Sequence, residues 1–376
     1  MNGRKLRFLL IGIAVIVVSA FFDNIRGPLL PVFARDYGLS YGQAAAFFWA
    51  SSVTSFLIGM ISVPLLARWT ERTYIRAAML IQCLAVLCAA GGSYASLIVS
   101  GLFWGAGNTA IGMSSNLVVL RGTTDENRSR RMSALHLFYC LGAIVPAFYA
   151  AQTADRLPLP AILLPTLSLL ILLWAATEPL PKHAEAAPAP QMPWAKMLAP
   201  HALVSNLLIS VYILGEVLTS MWLVTYLTGQ RGLSVTEASG RMQLYFLAMA
   251  SSRALGIFLF RSGWESALPA PLMLASAASL SAGLAGWDAG FLLAPFFFGP
   301  MFPLLATRLV KDYPKEYPSL TAFMYAVCTI LLALGHVLLG WVSDRFSLQA
   351  AYRVPSFCIL AALLLLGLRS RLSPPA

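Results

Sequence analysis

Among the ionisable side chains inside long apolar stretches of this sequence, where a charge has no water to stabilise it, four are the main candidates for chemistry. They are Asp23, His136, Glu216 and Arg253. A charged side chain near the centre of a bilayer costs about 2.5–3.5 kcal/mol on insertion scales, so such a residue normally faces a partner or a water-filled cavity. A carboxylate or an imidazole there can exchange protons, and an arginine can hold an anion or neutralise an acid. These residues are therefore the first candidates for proton and solute binding.

All four also have a purely structural interpretation, which for Glu216 is an acid paired with another half-buried group and for His136 is a hydrogen-bonded packing residue. Asp23 and Arg26 are spaced i, i+3 and can neutralise each other on one helix face. Arg253 can either hold an anionic solute or pair with Glu216 across neighbouring helices. The remaining candidates for contact with a polar solute are amides and an aromatic residue inside apolar stretches: Asn24, Asn108, Asn116 and Trp222.

The composition predicts the elements that position these residues. Of the 376 residues, 59% are hydrophobic and only 11% are charged, against about 25% charged in a soluble domain. Apolar runs of about 20 residues recur along the chain, and backbone groups in lipid must be paired within each run. The sequence therefore predicts an all-α membrane protein with twelve transmembrane helices. We number the predicted spans 1 to 12 in chain order: 7–34, 42–67, 74–94, 96–120, 132–153, 158–177, 202–228, 236–260, 267–286, 289–310, 319–342 and 349–368.

The distribution of lysine and arginine predicts the orientation. With the N-terminus in the cytoplasm, 18 of the 26 basic residues fall on the cytoplasmic side, seven fall on the outer side and Arg253 lies within a span. This asymmetry favours twelve spans with both termini cytoplasmic, in a bacterial inner (plasma) membrane. The longest polar link, rich in proline and alanine, predicts an N-terminal bundle (1–177), a cytoplasmic linker (178–200) and a C-terminal bundle (201–376).

An internal repeat supports two equivalent halves. Residues 38–44 and 232–238 both read G-L-S-x-x-x-A at an offset of 194, and each copy enters the second span of its half. Asp23 lies 15 residues before the first copy and Glu216 lies 16 residues before the second. Two parallel six-helix halves form the arrangement in which a solute site lies near the midplane, between the halves.

Together these features resemble the major facilitator superfamily over nearly the whole chain. Three stretches are similar to its fucose–galactose–glucose:proton symporter branch: Tyr-Ile-Leu-Gly-Glu at 212–216 with Trp-Leu-Val-Thr-Tyr-Leu at 222–227, Ser-Arg at 252–253, and Leu-His-Leu-Phe-Tyr-Cys-Leu-Gly-Ala at 135–143. The resemblance implies the major facilitator fold and proton-coupled solute transport by alternating access. The chain departs from the family pattern where Ala67 and Phe260 replace the usual aspartate of the loops after spans 2 and 8. Gly112 replaces the carboxylate that the sugar symporters carry four residues before Asn116.

Other functional classes lack their signatures. The sequence has no G-x-x-x-x-G-K-[ST], H-E-x-x-H or G-x-S-x-G motif, so we expect neither an ATP-driven pump nor an enzyme. The five cysteines show no metal-ligand spacing, and we interpret them as packing residues that need neither metal nor cofactor. We expect a small-molecule solute, a proton and the lipid bilayer as partners, no nucleic acid, and a monomer. Efflux of drugs or amphipathic metabolites, and a membrane sensor or scaffold that has lost transport, stay open as alternatives.

Overall fold

The computed structural model describes residues 3–66, 68–123, 128–181, 194–259 and 263–372. Ala67, Phe260 and most of the predicted linker lie outside these ranges. Within them the secondary structure is helical, and the helices cover each of the twelve predicted spans. In chain order the helices are Gly3–Asn24, Arg26–Tyr37, Tyr41–Leu66, Glu71–Ala89, Tyr94–Arg121, Arg128–Thr153, Leu159–Leu163, the 3₁₀ turn Leu164–Thr166, Leu167–Ala176, Trp194–Met197, Pro200–Arg231, Val235–Leu259, Trp264–Ala267, Pro269–Leu284, Gly290–Phe298, Met301–Asp312, Tyr317–Arg345, Leu348–Ala351 and Val354–Arg369.

This chain is a multi-pass membrane protein. Among the described residues, nine helical segments are long and apolar enough to cross a bilayer. Spans 4, 8 and 9 fall outside that set, and span 9 is helical over only the 16 residues Pro269–Leu284. Large apolar side chains lie on the outside of the bundle, as Ile171 and Leu364 illustrate with 68% and 76% of their surface exposed. A water-facing surface would not carry these side chains, whereas lipid tails solvate them.

Two spans are interrupted where proline removes a backbone hydrogen bond. Span 1 breaks between Asn24 and Arg26, because Pro28 has no N–H to donate to the carbonyl of Asn24. Span 10 breaks between Phe298 and Met301, at a Gly-Pro pair. Gly27, Pro28 and Pro31 in the sequence predict a bend in span 1, which the structure confirms, whereas the break in span 10 was not predicted. Both breaks free backbone carbonyls in the middle of a membrane span.

The repeated segments 38–44 and 232–238 fold in the same way. Gly38 and Gly232 both adopt the left-handed conformation, with φ of 62° and 68°, and each ends the preceding helix. Only glycine reaches that backbone region without steric cost. The structure therefore gives the repeated glycine the same role in both copies.

Each copy then starts the next helix with a capping box. In the first, Gln43 N–H donates to Ser40 Oγ at 3.2 Å and Ser40 N–H donates to Gln43 Oε1 at 2.9 Å. In the second, Glu237 N–H donates to Ser234 Oγ at 3.1 Å and Ser234 N–H donates to Glu237 Oε2 at 3.0 Å. Such reciprocal pairs satisfy N–H groups that have no partner within the helix. The shared serine of the repeat is thus a helix-start signal.

Among the described residues, three contacts between spans before and after the central linker are the most extensive. Span 2 lies along span 11, span 5 lies along span 8, and Arg26–Tyr37 lies against span 7. We call the face that holds the starts of spans 2 and 8 the distal face, and the opposite face, which holds the start of span 1 and the end of span 12, the proximal face. At the distal face the contact of span 2 with span 11 is very close, since a Cβ added to Gly340 would lie 2.7 Å from Ala45 Cβ. The distal face is therefore closed.

Candidate functional site

The break in span 1 presents a cluster of polar side chains that includes Asp23. Arg26 forms an ion pair with Asp23, and its Nε donates to the Asp23 carbonyl at 2.9 Å. Tyr139 of span 5 donates its hydroxyl to the same carboxylate. Asn24 Nδ2 donates to the Tyr139 hydroxyl at 3.3 Å, and Arg26 also donates to Ser51 Oγ at 2.9 Å. We call Asp23, Arg26 and Tyr139 the first cluster.

An equivalent cluster forms around Glu216 in span 7. Arg253 Nη2 lies 3.5 Å from Glu216 Oε1, and Tyr212, one turn earlier in the same helix, donates its hydroxyl to the carboxylate. The break in span 10 completes the arrangement, because Arg253 Nε donates to the Gly299 carbonyl at 2.8 Å and Tyr212 also donates to the Phe298 carbonyl at 2.9 Å. We call Glu216, Arg253 and Tyr212 the second cluster.

The two clusters lie at the same depth in the protein. Asp23 is 14 residues from Tyr37, where the second helix of span 1 ends, and Glu216 is 15 residues from Arg231, where the helix of span 7 ends. At 1.5 Å per residue both acids lie about 21–23 Å below the distal face, well inside a hydrocarbon core about 30 Å thick. The side chain of Asp23 is 29% exposed and that of Glu216 is 16% exposed. Neither acid is therefore completely enclosed by protein atoms.

Two consecutive residues of span 5 connect the clusters. Tyr139 binds Asp23 of the first cluster, and Cys140 Sγ lies 2.7 Å from Arg253 Nη1 of the second. Cys140 is buried, with 1% of its surface exposed, so no water competes for this contact. Because neighbouring residues of a helix move together, any displacement of span 5 relative to span 8 changes the surroundings of both acids. The interpretation of Cys140 as a packing residue was therefore incomplete.

The structure places the other candidates at different distances from this centre. His136 lies one turn before Cys140 in span 5, with its ring 6.1 Å from that of Phe302. Asn108 accepts a hydrogen bond from Ser19 Oγ at 3.2 Å, so it lies against span 1 one turn to the proximal side of Asp23. The side chain of Asn116 lies two turns further along span 4 and donates to a carbonyl of its own helix at 3.4 Å.

Trp222 lies on the distal side of the clusters instead of within them. Its indole N–H donates to His336 Nδ1 at 2.9 Å, and the His336 ring stacks on Phe48 of span 2 at a centroid distance of 4.3 Å. The guanidinium carbon of Arg26 lies 5.7 Å from the centroid of the Phe48 ring. All three rings are buried. Residues from spans 2, 7 and 11 thus form an aromatic seal between the clusters and the distal face.

Sequence reasoning missed several groups that complete the site. Tyr212 and Cys140 gave no signal beyond their own type, because their partners are distant in the chain. The two carbonyls of span 10 could have been found, since a Gly-Pro pair followed by Pro303 predicts an interrupted helix with unpaired carbonyl groups. Interrupted helices in membrane proteins occur where the backbone is buried in protein or lines a cavity.

The arrangement can bind oxygen-rich solutes and protons. Each cluster contains one acid, one permanent cation and one hydroxyl, so it can accept and donate hydrogen bonds at once. No group of three or more histidine, cysteine or acidic side chains that could hold a metal ion occurs among the described residues.

Comparison with known proteins is consistent with this geometry. The sequence profile of the Major Facilitator Superfamily matches residues 12–322. No curated protein matches the chain at a significant level.

Three solved structures share the fold at low sequence identity. A D-xylose–proton symporter superimposes with a TM-score of 0.73 at 13% identity, with 96% of this chain and 97% of that chain covered. The E. coli fucose:proton symporter gives 0.66 at 14% identity, covering 96% and 98%. A bacterial homologue of the human lysosomal transporter Spinster, in an inward-facing and unoccupied conformation, gives 0.70 at 12% identity, covering 99% and 96%.

Proposed function

Because this chain belongs to the Major Facilitator Superfamily, and is therefore a secondary active transporter, we propose that it carries a small polar solute together with a proton by alternating access. The observation that carries this proposal is the pair of acid–arginine–tyrosine clusters, at one depth, linked by adjacent residues of span 5. Two buried ion pairs in the middle of a membrane protein are costly to build, and a transport cycle gives them a use.

The first cluster is the proposed solute site. Asp23 keeps 29% of its side chain exposed, so its carboxylate oxygens can accept hydrogen bonds from solute hydroxyls. Asn24 and Asn108 are both buried amides beside it and add donors and acceptors. The neighbours described as D-xylose–proton and fucose:proton symporters support a sugar-like solute or another hydroxyl-bearing metabolite.

The second cluster is the proposed proton site. An ionised Glu216 balances the charge of Arg253, whereas a protonated Glu216 leaves Arg253 without its counter-charge. Arg253 also binds Cys140, which lies in a span before the central linker. Protonation of Glu216 therefore changes a contact between the two sides of the solute pathway, which is the requirement for coupling. His136, close to the same arginine, is a second group that can take part in proton transfer.

The charge distribution supports the remaining features of the proposal. The excess of basic residues on the proximal side supports a proximal face in the cytoplasm and a distal face at the exterior of a bacterial plasma membrane. Bundles 1–177 and 201–376 then rock as two bodies, with 178–200 as their tether. The protein acts as a monomer and leaves its solute chemically unchanged.

The test uses purified protein in liposomes with an imposed proton gradient and D-xylose or L-fucose as the first probes. Glu216→Gln is expected to abolish accumulation against a gradient but to keep counterflow, because counterflow needs no net proton movement. The matched control is Asp288→Asn, which removes an acid that is 44% exposed near the distal face. Full accumulation with unchanged pH dependence in Glu216→Gln would remove this residue from proton coupling.

The direction of transport and the presence of transport activity are tested in separate experiments. Whole cells that express the protein accumulate the solute if it is an importer and lose it if it is an efflux transporter. Counterflow of any solute excludes the sensor or scaffold alternative, while the absence of counterflow for every solute class would contradict the transport proposal itself.

A further inference from the structure

The distal end of span 11 holds the start of span 2 through one carboxylate. Asp344 Oδ2 accepts hydrogen bonds from Ser40 Oγ at 2.8 Å and from the Gly42 N–H at 2.9 Å, and Oδ1 accepts one from the Tyr41 N–H at 3.0 Å. These N–H groups belong to the first turn of a helix, where they have no partner within the helix. The partial positive charge of a helix N-terminus also attracts a carboxylate.

A second carboxylate makes the related contact on the opposite side of the distal face. Asp155, just after span 5, accepts a hydrogen bond from the Thr236 N–H at 2.6 Å. Thr236 is the residue that corresponds to Gly42 in the internal repeat, since the two positions differ by the repeat offset of 194. The same backbone position of the repeat is thus held by an aspartate in both copies.

Both contacts cross from one side of the linker to the other. Asp344 follows the linker and binds span 2, which precedes it; Asp155 precedes the linker and binds span 8, which follows it. Spans 2 and 11, and spans 5 and 8, also pack against each other, and both pairs meet at the distal face through Gly340 with Ala45 and Asp155 with Thr236. Opening that face requires span 2 to leave span 11 and span 8 to leave span 5, so both contacts must break.

We propose that Asp344 and Asp155 are the two latches of the distal gate, and that they bias the resting transporter toward the conformation closed on that side. The two latches differ in strength. Asp344 accepts three hydrogen bonds from span 2, whereas Asp155 accepts one from span 8. Asp344 is therefore the main latch, and the aromatic seal beneath it closes the pathway a second time.

The test measures how often the gate opens. Ser51, 1% exposed and beneath the gate, becomes a reporter as Ser51→Cys in a chain whose native cysteines are replaced by serine. A membrane-impermeant thiol reagent added on the distal side labels it at a rate proportional to the fraction of time that the gate is open. This rate responds to rare openings, and it needs neither solute nor proton gradient. The result is therefore independent of the proposed solute and coupling.

Removal of the latch charges is expected to accelerate labelling. Asp344→Asn should raise the rate about three- to thirtyfold, the range expected for loss of a helix-capping carboxylate, and Asp155→Asn should raise it less. Arg345→Gln and Arg156→Gln, which change the neighbouring exposed charges, are the matched controls. An unchanged labelling rate in the folded double variant of Asp344 and Asp155 would overturn the proposal, as would equal acceleration in the controls.

Discussion

The substitution Gly340→Ala is expected to open the distal gate through the added side-chain volume, without any change of charge. An added Cβ at this position would lie 2.7 Å from Ala45 Cβ and 2.9 Å from Gly42 Cα. Neither neighbour can rotate away, because both atoms are fixed to the backbone of span 2. Ordinary contact begins at about 3.4 Å, so Gly340→Ala must separate spans 2 and 11 by roughly 0.5–0.7 Å.

The energetic consequence falls on one conformation only. Overpacking of a close contact costs about 1–3 kcal/mol, and the cost applies to the closed state, where the two helices touch. At about 1.4 kcal/mol per factor of ten, the ratio of open to closed protein should rise roughly 5- to 150-fold. The assay is the labelling rate of Ser51→Cys from the distal side, as for the latches.

Two variants make the result specific. Gly240→Ala is the matched control, since an added Cβ on this glycine of span 8 would meet no atom within 4 Å. Adding Ala45→Gly to Gly340→Ala removes the nearer of the two clashes and should restore slow labelling in part. A labelling rate for folded Gly340→Ala equal to that of Gly240→Ala would refute the inference that this contact closes the gate.

Two further predictions concern a contact in the site and one on the proximal face. Cys140→Val removes the sulfur acceptor of Arg253 and leaves a buried guanidinium N–H unpaired at a cost of about 1–3 kcal/mol, so the temperature of thermal unfolding should fall and counterflow should slow. Cys140→Ser keeps an acceptor and should behave like the unaltered protein. Equal defects in both variants would contradict the role of this contact. The Glu265–Lys311 ion pair lowers the pKa of Glu265, so the stabilisation that it provides is complete above the unfolded pKa of about 4.3 and is lost as pH falls through the lower folded pKa. When melting temperature is measured from pH 7 to pH 3, its decrease on acidification should be smaller in Lys311→Met than in the unaltered protein. An identical decrease in melting temperature would contradict this prediction.

The positions of the spans followed from the sequence because lipid imposes a local rule. Each apolar run had to be a helix of about 20 residues, and all twelve predicted spans are helical in the structure. Span 9, with its many alanine and serine residues, forms a helix of only 16 residues, Pro269–Leu284. The bend in span 1 was predictable for a similar reason, since a proline removes a hydrogen bond wherever it stands in a helix.

The candidate site was predictable only as a set of separate residues. Glu216 and Arg253 were recognised because a charge in an apolar run is conspicuous, and their pairing was one of two stated alternatives. Tyr212 and Cys140 were not recognised as site residues, because a tyrosine or a cysteine in an apolar run is ordinary. Trp222 was assigned to the site, but it lies distal to the clusters and pairs with His336.

What the sequence alone determined is therefore whatever depends on neighbours within one helix or on the solvent: the helical spans, the repeat with its capping serine, and the depth of the two acids. What only the tertiary structure decided is which distant helices meet. Three sets of contacts illustrate this: the link between the two clusters through span 5, the hydrogen bonds from Arg253 and Tyr212 to carbonyls of span 10, and the aspartates at the starts of spans 2 and 8. All of them join residues 46 or more positions apart in the chain. Such contacts arise from packing of whole helices, and no local pattern of residue types encodes them.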